Sequence, residues 1–184
     1  MRRAFLALLA GAVLTVCSGP AAAPSPTPSA RPSSSPSPRV TLRAPVDEIL
    51  TDADLGLARS GGRDHLGLTQ AAEEQQNQPL ALVRYRSWGW VDEASRSWGG
   101  GSAQVSESLL LLTKVDGARL AFFDFATGLH SDCPPGLGLD DCAQGRTGTT
   151  TSLAGRVGPY VFQIDGSGVD VEALAAKQAI KIRA

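Results

Sequence analysis

The sequence predicts an α+β domain, a twisted antiparallel sheet with flanking helices in the order β-β-α-β-β-α, carried behind an export signal and a disordered Pro/Ser-rich linker. Three observations predict it. Two stretches place apolar residues at helical spacing, four segments with strand-like composition are joined in pairs by short connections, and the Pro- and Ser-rich stretch from Pro20 to Pro38 has nothing from which to build a core. Short connections within each strand pair demand antiparallel neighbours.

The segment 1–23 reads as a signal peptide. Met1-Arg2-Arg3 forms a basic start, and the thirteen apolar or small residues from Ala4 to Val16 are too few to span a bilayer of ~30 Å as a permanent helix. The tetrad Leu14-Thr15-Val16-Cys17 then resembles a bacterial lipobox, which implies acylation at Cys17, palmitate included, and an anchor in the cell membrane. Val16 is bulkier than the Gly, Ala or Ser usual before that cysteine. A second cut is open at Ala21-Ala22-Ala23, and it releases a secreted protein beginning at Pro24. The linker 24–39 is almost wholly Pro, Ser, Ala and Thr. Its prolines fix φ and remove backbone donors, so an extended spacer of ~3 Å per residue is expected.

Residues 40–184 number about 145, the size of one domain. Once Arg2 and Arg3 leave with the signal, fifteen basic side chains face eighteen acidic ones, and no basic stripe remains to bind nucleic acid. Cys133 and Cys142 are left as one even pair around a Pro- and Gly-rich loop. In an oxidising compartment a structural disulfide is expected there, because a lone pair at that spacing is poor zinc geometry.

Within the domain, short helical turns are expected at Pro45 to Leu50 and Asp52 to Leu55, and a helix at Thr69 to Gln76. Leu80 to Val91 and Ala103 to Thr113 read as a strand pair separated by a polar loop ending in Gly99-Gly100-Gly101. Ala118, Ala121, Phe122, Phe125 and Leu129 mark the buried stripe of a helix capped by Thr113 or Asp116. Gln144 to Leu153 and Arg156 to Asp165 read as two strands turning at Ala154-Gly155. Pro159 suits a strand start or an edge, and Thr149 to Thr151 suit a half-exposed β position. A last helix begins near Val169, with Ser167 and Asp170 in capping-box form and Val171, Leu174, Ala175, Gln178 and Ile182 on its buried face. Gln178 is the polar member of that face and needs a hydrogen-bond partner, expected to be a neighbouring backbone group.

This order of elements, the stretch Leu50-Thr51-Asp52-Ala53-Asp54-Leu55-Gly56, and Arg156 to Ile164 followed by Gly166-Ser167-Gly168-Val169-Asp170 resemble secreted actinobacterial lipoproteins. Those domains are similar to the extracellular sensor domain of PknH-type kinases. The resemblance covers much of Asp47 to Arg183 and implies a twisted antiparallel sheet with flanking helices outside the membrane, in a sensor-like or uncharacterised lipoprotein. It implies no signalling role through a kinase, since that domain carries two disulfides and a transmembrane tether.

Candidate chemistry is sparse. His65 and His130 are the only histidines, and Asp124, His130 and Asp132 form the one cluster from which a secreted envelope hydrolase could be built. No Gly-x-Ser-x-Gly, Ser-x-x-Lys, His-Glu-x-x-His or P-loop motif is present, and Asp165 to Asp170 lacks the ligand spacing of a calcium loop. No catalytic residue, metal or cofactor is therefore assigned. Arg84, Arg86, Trp88 and Trp90 share one face of the expected strand and form a candidate platform for a cell-wall glycan, an anionic small molecule or an envelope protein. The alternative packing buries those tryptophans. The expected function is a cell-envelope-anchored, extracytoplasmic binding or sensor-like module without catalytic activity. Mass spectrometry of the mature N-terminus is expected to find an acylated Cys17; a free Pro24 terminus would remove the anchor.

Overall fold

A single antiparallel sheet of six strands organises residues 42–184, the part of the chain that the computed structural model describes. The signal segment 1–23 with Cys17 and the linker 24–39 lie outside the described residues. The strands are β1 (Ala58–Arg63), β2 (Trp90–Gly100), β3 (Ala103–Leu112), β4 (Asp141–Thr147), β5 (Thr150–Val157) and β6 (Tyr160–Ser167), and their spatial order is β1-β2-β3-β6-β5-β4. The helices are α1 (Pro45–Glu48), α2 (Asp52–Leu55), α3 (Leu68–Glu73), α4 (Gln78–Trp88), α5 (Val115–Phe125) and α6 (Val171–Arg183). The α+β class and the antiparallel sheet with flanking helices are thus as the sequence predicts.

The two faces of the sheet are covered unequally. Val105, Leu109 and Leu111 of β3, with Phe162 and Ile164 of β6, form one apolar face packed against Val171, Ala175, Ala179 and Ile182 of α6 and against Ile49 and Leu50. A fully buried side chain of the size of Ile182 stabilises by ~2–3 kcal/mol. On the other face only one end is apolar. There Leu110, Leu112, Ala154 and Val161 meet Ala81, Tyr85 and Trp88 of α4 and Ala118, Ala121 and Phe122 of α5. Gly117 lets α5 approach α4 closely, because a Cβ at that position would lie 1.8 Å from the Trp88 carbonyl oxygen.

Several elements differ from the sequence expectation. Leu80 to Val91 is not a strand. Asn77 caps α4 by accepting from the Leu80 N–H, a proline occupies the first turn, and Gly89 ends the helix at φ 78°. Ala81, Tyr85 and Trp88 then fall at helical spacing and are buried, while Val83 is exposed. The polar stretch after Val91 is the strand β2 itself. Three strands, not two, lie between Asp141 and Ser167, with turns at Gly148 and at Gly158-Pro159 in place of Ala154-Gly155. Pro159 immediately precedes β6, where its missing N–H costs no ladder bond. Lys114, without a side-chain bond, occupies the N-cap of α5, and Asp170 caps α6 by accepting from the Ala173 N–H.

Cys133 and Cys142 are bridged, with Cα atoms 5.8 Å apart. Arg156 binds Asp140 and Asp141 beside this loop, and Arg183 of α6 reaches Asp140 at 2.9 Å.

The chain from Arg43 to Leu55 lies as a strap across the apolar face and is held largely by polar bonds. Gln178 donates to the Glu48 carbonyl at 3.0 Å, Lys181 to the Ile49 carbonyl at 2.8 Å, and Arg96 to the Leu50 and Val46 carbonyls. The backbone partner expected for Gln178 is thus present. Buried Glu107 accepts from the Leu50 N–H at 3.1 Å, and burial pushes its carboxyl up to about 8 against the pull of that bond, Lys181 and Arg96. Since this lies above the ordinary value of 4.5, the folded state binds more protons than the unfolded chain across that window, and stability falls as pH rises through it. Thermal melts are expected to show Tm declining between about pH 5 and 8.5. Glu107→Gln, which stays neutral, flattens the upper part of that decline; an unchanged slope would disprove the assignment.

Candidate functional site

The uncovered half of the second sheet face is polar. In β3 the residues that alternate with Val105, Glu107 and Leu109 are Gln104, Ser106 and Ser108, and cross-strand partners stand on the same face. Ser108 is paired with Ser95 of β2 and Gln163 of β6, and Ser106 with Ser97 and Asp165. Beyond β6, Asp165 is paired with Ser152 of β5, and Ser167 with Thr150. The result is a floor of hydroxyl, amide and carboxylate groups across four strands. Two adjoining hollows of about 450 and 270 Å³ lie over it and share Ser97, Ser106 and Asp165.

The floor is half-buried and open to solvent. Gln163 Nε2 donates to both carboxylate oxygens of Asp165 at 3.1 Å and fixes that side chain in place. Among the described residues the hydroxyls of Ser95, Ser97, Ser106 and Ser152 have no protein hydrogen-bond partner, and neither histidine nor lysine stands beside any of them as a base. Such a surface is equipped to exchange hydrogen bonds with a ligand and has no activated nucleophile.

Where the floor meets the helices, Phe125 at the end of α5 forms a wall, and behind it lies a smaller hollow of about 190 Å³ that includes Tyr85, Trp88, Trp90 and Glu93. Burial pushes the Glu93 carboxyl up to about 7; a hydrogen bond from Ser108 opposes this, and the neighbouring Glu74 adds to it. Glu93 is therefore largely protonated in mildly acidic solution.

The residues proposed from sequence take different places from those expected. Trp88 is only 6% exposed. Tyr85 stacks between Trp88 and Trp90 at centroid distances of 5.4 and 4.6 Å, and the Trp90 indole N–H donates to the Leu66 carbonyl. Arg84 lies 5.2 Å from the Trp88 ring centroid and pairs with Asp124 at 3.0 Å. Arg86 is exposed and takes no part in this group. The outward platform of two tryptophans flanked by arginines is thus corrected to an inward aromatic cluster lidded by Arg84, because the segment is a helix. Trp98 is buried on the opposite face, where its indole donates to Asp52.

The Asp124, His130 and Asp132 cluster is likewise not assembled. Asp124 is held by Arg84, His130 and Asp132 lie on the loop after α5, and no hydrogen bond joins the three. Among the described residues no group of three His, Cys, Asp or Glu side chains is placed to hold a metal. A pairing that sequence reasoning missed is His65 with Asp92, 2.8 Å apart although 27 residues separate them. The hydrogen bond to Asp92 and its charge raise the imidazole pKa, and Asp92 is oriented by the N–H groups of Leu66 and Glu93.

Removal of Trp88, a buried aromatic, is expected to destabilise the fold by ~3–5 kcal/mol in Trp88→Ala. Arg86→Ala should stay within ~0.5 kcal/mol of the parent. Urea unfolding of the two variants measures the contrast, and equal losses would return Trp88 to the surface.

No protein-family model, no curated protein and no solved structure matches this chain.

Proposed function

We propose that this protein is an extracytoplasmic binding module tethered to the cell membrane through Cys17, and that it binds its ligand on the open polar face of the sheet without catalysing a reaction. The observation that carries this is the half-covered sheet. The helices close one face and half of the other, and they leave a rigid, hydrogen-bonding floor beneath hollows of ligand size. The location is supported by the bridged Cys133 and Cys142, a bond that persists in oxidising compartments. Among the described residues no helix is long and apolar enough to cross a membrane, which is compatible with a lipid as the attachment. The resemblance to the extracellular sensor domain of PknH-type kinases points in the same direction, toward a sensor-like lipoprotein.

A hydrolase built on Asp124, His130 and Asp132 is disfavoured because Asp124 is held by Arg84 and no hydrogen bond joins the three, and the floor serines lack a base. Of the partners expected from sequence, an anionic small molecule suits this surface poorly, because the ionisable group standing on the floor of its hollows is the carboxylate of Asp165.

The test uses the isotope-labelled mature chain, titrated with separated lipid, glycan, peptide and small-molecule fractions of the cell envelope while backbone amide NMR signals are followed. At least one fraction is expected to shift Ser97, Ser106 and Asp165 and leave α6 unmoved. Shifts confined to other surfaces, or none with any fraction, would refute the binding face.

A further inference from the structure

The composition of the floor narrows the class of its ligand, an inference that rests on this face being the binding surface. We propose that it holds a short neutral glycan, lying along β3 with its hydroxyls on the serine grid and on the outer lone pairs of the Asp165 carboxylate, and with an apolar sugar face against Phe125.

The floor is chemically complementary to a sugar. A serine or threonine hydroxyl is both donor and acceptor, as is each hydroxyl of a sugar, so a ligand of this class can satisfy the grid in many local patterns without leaving an orphan. Ser95, Ser97, Ser106 and Ser152 offer four such groups with no competing protein partner, and their short side chains lose little rotamer freedom on binding. Asp165 is held by Gln163 with its two oxygens side by side. Gln163 Nε2 takes the bidentate edge of the carboxylate, and the outer lone pair of each oxygen is left to accept a sugar hydroxyl.

The same composition excludes other ligands. No lysine or arginine side chain of β2, β3, β6 or β5 stands on the floor: Arg96 turns its guanidinium to the strap on the opposite face, and Arg63 at the β1 edge is engaged by Glu74. Asp165 places a carboxylate on the floor, so a phosphate, sulfate or uronate would meet repulsion without a counter-charge. No large apolar side chain lies on the floor either, apart from Phe125 at its wall, which leaves an acyl chain nothing to displace water onto. An extended peptide docks by adding to a sheet edge, whereas here the backbone groups of β2, β3, β6 and β5 are already spent on one another.

Size agrees with a short glycan. Strands are spaced ~4.8 Å apart, so the four strands reach ~14 Å across, and Gln104 to Ser108 runs ~14 Å along β3. The two hollows follow that direction and join at Ser97, Ser106 and Asp165. Their length matches a disaccharide or trisaccharide. The Phe125 ring closes the helix end of this track, where it can cover the C–H face of a pyranose, as aromatic rings commonly do for flat apolar surfaces.

Calorimetric titration of the mature chain with a panel of neutral trisaccharides (N-acetylglucosamine, glucose, mannose and arabinose trimers), and with a uronate trimer as the anionic arm, tests the proposal. At least one neutral trimer is expected to bind and the uronate not. Asp165→Asn should weaken the binding at least ~10-fold and Ser106→Val ~3-fold, the size of one charged and one neutral hydrogen bond. Arg86→Ala, far from the floor, should leave it unchanged, and circular dichroism checks that each variant is folded. An unaltered affinity in folded Asp165→Asn and Ser106→Val would overturn the assignment. So would a panel without binding. If floor amides then shift only with a peptide, lipid or anionic fraction, the glycan is wrong and the binding face stands; if they shift with none, both fall.

Discussion

Strand β3 carries the constraint on which the rest of the molecule depends. Its first half alternates, with serine and glutamine on one side and Val105 and Glu107 on the other, and its second half is the uninterrupted run Leu109 to Leu112. A run of four leucines in a strand is buried on both faces, so helices must cover both sides of the sheet at that end. The alternating half demands cover on one side only. The position of α5 and α4 over Leu110 and Leu112, and their absence over Ser106 and Gln104, follows from that one change of pattern. The candidate site is therefore a by-product of where the hydrophobic effect stops acting, and its rigidity comes from the closely packed face beneath it.

That apolar face is itself interrupted by polar side chains. Glu107, Glu48 and Gln178 are almost wholly buried, and one oxygen of each has no hydrogen-bond partner. Such groups are costly unless paired. Here Glu107 and Gln178 act as fixed hooks for the backbone of the strap, which would otherwise present unpaired amides and carbonyls to a hydrophobic surface, while Glu48 pairs with Arg43 within the strap. Replacing a greasy contact by a directional one fixes the register of the segment Arg43 to Leu55, which has too little regular structure to fix it alone.

The sequence made the regular amphipathic elements readable and hid those whose core-facing positions hold polar residues. The stripe of α6 and the core of α5 can be read from spacing, because ordinary burial put apolar residues where the period requires them, and the cysteine pair from its even count around a turn-rich loop. Strand β2 is not readable in that way. Its inward positions are Ala94, Arg96 and Trp98, and Arg96 occupies the middle because its guanidinium serves the carbonyls of the strap. An alternation with an arginine at its centre looks like a loop. Leu80 to Trp88 failed for the opposite reason: Val83 and Tyr85 mimic a period of two, while the decisive signals are the proline after Asn77 and the glycine at 89. The floor could have been sought as Ser95-x-Ser97 opposite Ser106-x-Ser108, but only the observed register places those hydroxyls side by side. His65 and Asp92 meet because β1 and β2 pair, a contact that no local pattern encodes.

The strap has a mechanical meaning as well. The first described residues join the body at Arg43, whose backbone N–H and carbonyl both bind the Tyr160 hydroxyl, on the side of the sheet opposite the serines. A force pulling on the N-terminal end of the chain would reach this clamp and the hooks behind it before it reached β2, β3 or β6.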